Sequence, residues 1–119
     1  MDALRQLLEN LIDFSFDQEA VMENFSGLNT RDPKYVKLGQ DQRKLKDDAK
    51  MLEDSLFALS KRVLQLSPVI NKEVSAMNKN IEESIKYITE RQTAMTMAKQ
   101  QYVMTSVNNL ALLFDEALQ

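Results

Sequence analysis

The sequence contains no histidine, cysteine or tryptophan, and only two glycines and two prolines. Without histidine and cysteine it lacks the residues of the usual zinc sites, a thiolate nucleophile and a Ser-His-Asp triad. A di-iron bundle is also excluded, because its core requires Glu-x-x-His pairs. The absence of cysteine further rules out a secreted fold held together by disulfides. We therefore expect a non-enzymatic protein that uses no cofactor and no metal ion.

Long apolar runs and a strong net charge are missing as well. No run of eighteen apolar residues occurs, so we expect no membrane-spanning helix. The N-terminus, Met1–Arg5, lacks the basic and then apolar pattern of a signal peptide. The net charge of −3 gives no reason to expect nucleic acid as a partner. The partners to expect are therefore proteins.

Good helix formers are abundant, with Leu, Met, Ala, Gln, Glu and Lys dominating the composition. The scarcity of glycine and proline favours a few long elements over many short ones. A chain of 119 residues is long enough for one domain with a core. We predict a single all-α domain of three or four long helices in an antiparallel, coiled-coil-like bundle.

Turn residues and apolar spacing place the helices. Gly27 is suited to the left-handed position that ends a first helix, and Asp32 followed by Pro33 is typical of a helix start. The second helix carries a heptad stripe of Leu38, Gln42, Leu45, Ala49, Leu52, Leu56, Leu59, Val63 and Leu66. The predicted helices are approximately 2–25, 33–66, 68–91 and 93–118.

Two joints have alternative interpretations. Ser67 and Pro68 either form a tight turn, with Ser67 as the helix cap, or merely kink a continuous helix. The turn is the favoured alternative. Neither glycine nor proline occurs after Pro68, so 68–91 and 93–118 form either one very long helix or two helices, with Thr93 as the candidate cap of the second.

Charge is unevenly distributed along the chain. Residues 1–25 hold six acidic residues and one basic residue, a net charge of −5. Residues 31–50 hold seven basic and four acidic residues, a net charge of +3. A basic patch for nucleic acid or acidic lipid is one interpretation, but no interleaved aromatic residues support it. We expect instead that the first two helices complement each other electrostatically or that these faces are solvated.

The last predicted helix has an unusual composition. Gln92–Asn109 is rich in amides and hydroxyls, contains one charged residue, Lys99, and includes three methionines, which suit adaptable binding surfaces. Leu110–Phe114 is apolar on every side and needs either a central position or a partner. The alternative is an ordinary core in which the amides pair with neighbouring helices. The candidate interface residues are Met104, Val107, Leu110, Leu112, Leu113 and Phe114.

Three stretches together resemble a family of large bacterial proteins of uncharacterised function. The stretches are Leu4–Leu11 with Phe14–Glu19, Lys46–Lys50 with Asp54–Arg62, and Gln100–Leu112. Proteins of that family have N-terminal membrane helices followed by long coiled-coil-rich regions. The resemblance implies a membrane-anchored parent in the bacterial cell envelope, of which this chain is a soluble excised fragment. It brings no catalytic residue and no ligand.

These observations favour a non-catalytic structural or protein–protein interaction module, a helical spacer or assembly segment of a larger protein. We expect self-association, most simply as a dimer, or contact with other parts of the parent protein. One alternative is a regulatory segment of an enzyme whose active site lies elsewhere in the parent chain. Another is a module that binds a partner helix in a groove.

Overall fold

The computed structural model describes residues 2–118, and these form an all-α bundle without strands, as predicted. A short 3₁₀ turn, Leu64–Leu66, joins the second and third helices. The four helices are α1 (Asp2–Phe25), α2 (Lys34–Arg62), α3 (Ser67–Thr89) and α4 (Thr93–Leu118).

The helices pack in a closed ring. Short connections make consecutive helices antiparallel, and α1 packs against α2 and α4 while α3 packs against the same two helices. The packing is most extensive between α3 and α4 and least extensive between α1 and α2. The resulting bundle measures 47 × 20 × 19 Å. Each helix thus has two neighbours, which explains why the apolar stripes are wider than the seam of a two-stranded coil.

The heptad stripe of α2 forms its buried face. The first six members, from Leu38 to Leu56, are buried, and the last three are half-buried. The predicted end at residue 66 is wrong, because Val63 leaves the helical conformation at φ −124° and ψ 85°. The chain then continues as the 3₁₀ turn, in which Leu64 is 74% exposed.

The joint at Ser67 and Pro68 is a turn and not a kink, but the break lies four residues earlier than expected. Ser67 already has helical angles, φ −54° and ψ −46°, and α3 has no side-chain cap. The prediction of Ser67 as the cap is therefore wrong. Pro68 lies in the first turn of α3, where its missing N–H has no intrahelical partner to lose.

The connection between α1 and α2 follows its turn residues. Gly27 has a φ of +72°, the left-handed conformation predicted for it. The Asp32 carboxylate accepts a hydrogen bond of 2.9 Å from the backbone N–H of Lys34. This bond satisfies one of the free N–H groups at the start of α2, as expected of an N-terminal cap.

The chain breaks between α3 and α4, so the last two helices are separate. Arg91 takes the left-handed conformation at φ +55°. The N–H groups of Arg91 and Gln92 donate to the carbonyls of Ile88 and Tyr87, each at 2.9 Å, which is the Schellman pattern of a helix end. No glycine marks this turn, so the candidate cap Thr93 was the signal that the sequence offered for it. Thr93 is the first residue of α4, so it is not the cap that was predicted. Its hydroxyl hydrogen-bonds to the Tyr35 hydroxyl.

Arg91 connects the two loops at this end of the bundle. Its guanidinium donates to the Thr30 carbonyl at 2.6 Å and lies 5.1 Å from the centroid of the Tyr35 ring. The Tyr35 ring in turn meets Phe25 edge-on, with centroids 5.5 Å apart. The α1–α2 loop and the α3–α4 turn are therefore held by one side chain, an arrangement we call the Arg91 clasp.

Candidate functional site

The predicted interface residues occupy two different environments. Met104, Val107, Leu110 and Phe114 lie inside the bundle, with at most 6% of each residue exposed, and Leu113 is half-buried. Because α4 packs against both α1 and α3, the folded chain itself covers this apolar turn. Of the six residues, Leu112 alone is largely exposed, at 58%. It is therefore the member that a partner can reach.

Two amides of the unusual α4 segment bind neighbouring helices. The Asn108 side-chain oxygen accepts from the Ser15 hydroxyl of α1 at 2.8 Å. The Asn109 amide donates to the Glu73 carboxylate of α3 at 2.7 Å. These residues thus follow the alternative in which the amides of this segment pair within the bundle.

Three fully buried glutamines meet in the core, and we call Gln18, Gln42 and Gln100 the glutamine cluster. The amides of Gln18 and Gln42 donate to each other, both at 2.9 Å. The Gln100 amide donates to the Gln42 oxygen at 3.0 Å. The cluster therefore links α1, α2 and α4. The hydrogen bond between Gln42 and Gln100 joins α2 to α4, which lie diagonally across the ring. The heptad stripe identified Gln42 as inward-facing, and Gln100 belongs to the amide-rich segment for which pairing within the bundle was the alternative, but Gln18 had no comparable signal.

The outward surface of α4 is uncharged along most of its length. From Ala94 to Leu112 this surface is about 27 Å long. Its exposed residues, which define the α4 outer face, are Ala94, Met95, Ala98, Gln101, Tyr102, Thr105, Asn108, Asn109 and Leu112. The register set by Ser15 and Asn108 places Ile12 of α1, 40% exposed, at the level of Leu112. Apolar and amide groups thus dominate one side of the bundle.

Lys99 interrupts this uncharged sequence, and its ammonium lies at the edge of the α4 outer face, 5.6 Å from the centroid of the Tyr102 ring. Its ammonium lies 2.8 Å from the Glu83 carboxylate of α3. The hydrogen bond from Lys99 lowers the pKa of Glu83 below its ordinary 4.5, and the same bond raises the pKa of Lys99 above 10.5. The one charge in this part of α4 is therefore neutralised against α3.

Replacing Glu83 with glutamine is expected to lower stability at neutral pH and to flatten its acid dependence. A carboxylate with a depressed pKa stabilises the fold above its unfolded pKa, and that stability is lost as the pH falls below about 4.5. Urea unfolding between pH 3 and 7 measures the effect. Glu82→Gln is the control, since the Glu82 carboxylate is 69% exposed and lies 3.7 Å from Lys46. An equal change in both variants would contradict the prediction.

Of the two expectations for the charged segments, electrostatic complementarity between the first two helices is not observed, whereas the basic face is solvated, since all seven basic residues of 31–50 are exposed. Among the described residues no ion pair joins α1 to α2. The basic residues Lys46 and Lys50 of α2 line the groove towards α3. The ion pairs present are Lys37 with Asp41, Lys46 with Glu82, and Lys99 with Glu83.

The described residues hold no group of three or more side chains suited to a metal ion. No helix among residues 2–118 is both long and apolar enough to cross a membrane. No protein-family model, curated protein or solved structure matches the chain. The candidate site of this fold is accordingly the α4 outer face.

Proposed function

We propose that this chain is a non-catalytic assembly module that pairs with a second copy of itself through the α4 outer face. The observation that carries the proposal is the uncharged strip from Ala94 to Leu112 in a chain of which 28% of the residues are charged. Tyr102 is 53% exposed and Met95 is 40% exposed on this face. Aromatic residues and methionine are enriched where proteins associate, and charged residues are depleted there.

A second copy fits this face better than an unrelated partner because of symmetry. In a two-fold dimer each residue near the axis meets its own counterpart. A charged residue would therefore meet an identical charge, which is unfavourable, whereas amides and apolar groups meet without repulsion. The outer surface of α1 fails this requirement, because α1 carries six acidic residues and one basic residue.

The size of the face indicates weak association. A patch that is about 27 Å long and as wide as one side of the bundle buries roughly 1,000 Å² in total between two copies. That area lies at the lower limit for specific interfaces, so we expect a dissociation constant in the tens of micromolar. Weak pairing of this kind suits a segment that assembles when several copies are held close together. The 47 Å length of the bundle also suits the spacer role expected from the resemblance.

Sedimentation velocity from 10 to 500 µM tests the proposal. The wild-type chain should shift from monomer to dimer across this range. Leu112→Glu buries an unpaired charge in the interface and should keep the chain monomeric at the highest concentration. Val36→Glu is the matched control, because Val36 is 59% exposed on α2 and lies outside the face.

Thermal unfolding of both variants at low concentration separates assembly from folding. Neither side chain contributes to the core, so the monomer should unfold within about 0.5 kcal/mol of wild type. A wild-type chain that stays monomeric at 500 µM would refute the proposal. So would a Leu112→Glu variant that dimerises as well as Val36→Glu.

A further inference from the structure

A continuous groove runs along the outer side of the α1–α2 pair. It consists of three adjoining depressions of about 300, 310 and 230 Å³. Asn10 and Ser55 line both of the first two, and Asp17 and Asp48 line both the first and the third. The lining extends from Ala3 to Val21 on α1, which corresponds to about 27 Å of helix. We call this feature the α1–α2 groove.

The floor of the groove is apolar and its rim is open. Phe14 and Leu52 form part of the floor and are themselves almost fully buried. Met51 lines the same segment and is 72% exposed. Methionine adapts its shape to different partners and is common on surfaces that accept amphipathic helices. The length and the apolar floor match the helix-in-groove mode of recognition.

The rim brings like charges together. Asp13 and Asp17 of α1 and Asp48 of α2 all line the central segment, where no basic residue is present. Lys44 occurs only in the adjoining depression, beside Asp41, and Arg62 at the opposite end. The central segment is therefore acidic, and the packing between α1 and α2 is the least extensive in the ring. A cationic occupant complements these carboxylates while it covers the apolar floor.

We propose that the α1–α2 groove binds a basic amphipathic helix of a partner protein. The apolar face of that helix covers the floor of the groove, and its lysines or arginines lie against Asp13, Asp17 and Asp48. This proposal does not depend on pairing through the α4 outer face, because α4 lies on the other side of α1. The two surfaces differ in chemistry: an uncharged face suits its own copy, whereas an acidic groove requires a partner of opposite charge.

A designed peptide tests the proposal directly. The probe is an 18-residue amphipathic helix of leucine and lysine carrying a fluorophore, and its counterpart has glutamate in place of every lysine. Anisotropy titrations should show binding of the lysine peptide and no binding of the glutamate peptide. Affinity should fall at least tenfold in the variant Asp13→Asn/Asp17→Asn/Asp48→Asn. Met51→Ala should weaken binding several-fold through loss of apolar contact.

A second triple variant controls for net charge. Asp54→Asn/Glu90→Gln/Asp115→Asn removes the same charge from residues outside the groove and should change affinity less than twofold. Equal losses in the two triple variants would show attraction to overall charge only and would overturn the proposal, as would binding of the glutamate peptide. A reduced dimer fraction of the groove variant without peptide would place a second copy in the groove and overturn it too. Circular dichroism should show that the groove variant keeps the fold of wild type, because none of the three substitutions touches the buried core.

Discussion

Replacing Gln42 with alanine is expected to destabilise the bundle by about 3–4 kcal/mol, a large part of the stability of a small domain. Gln42 donates to Gln18 and accepts from both Gln18 and Gln100, and all three side chains are fully buried. Truncation leaves the other two amides without these bonds in the core and also creates a cavity. Urea unfolding monitored by circular dichroism measures the loss.

The glutamine cluster also predicts the opposite result for a concerted change. The triple variant Gln18→Met/Gln42→Met/Gln100→Met removes every polar group of the cluster and keeps most of its volume. We expect it to be at least as stable as wild type to within about 1 kcal/mol, because no buried amide is left without a partner. A triple variant less stable than Gln42→Ala would contradict this account of the cluster.

Replacing Phe114 with alanine should cost about 3–5 kcal/mol through the cavity it leaves in the core. Phe114 is fully buried, although it belongs to an apolar run whose other members differ widely in exposure. Leu112→Ala, two residues away, should change stability by less than about 0.5 kcal/mol, because Leu112 is 58% exposed. Equal losses at the two positions, measured at low protein concentration, would show that the assignment of core and surface on α4 is wrong.

Patterns that depend on single helices were predictable from the sequence. Spacing of apolar residues gave the buried stripe of α2, and Gly27 and Asp32 gave the first loop, since each acts through its own backbone or side chain. The turn at Arg91 was not predictable with the same certainty, because a left-handed residue other than glycine leaves no compositional mark. Its backbone geometry and the contacts of the Arg91 clasp together hold that turn in place.

The interface residues show where prediction from sequence reached its limit. An apolar turn demands burial, but sequence cannot say whether the same chain or a partner supplies it. Here α1 and α3 cover Val107, Leu110 and Phe114, while Leu112 stays accessible. The α1–α2 groove was missed for a related reason: its acidic rim combines Asp17 and Asp48, which are far apart in sequence and meet only when the helices pair.

The closed ring of helices has a consequence for the order in which the chain folds. The Ser15–Asn108 hydrogen bond between the first and last helices spans 93 positions, whereas the Gln18–Gln42 pair spans 24. Loop-closure entropy makes the longer connection costlier by about 1 kcal/mol, so the α1–α4 contact is disfavoured until nearer contacts exist. The helical hairpin of α3 and α4, which has the shortest connection and the most extensive packing, provides the natural nucleus. We therefore expect the contact between α1 and α4 to form last and to close the ring.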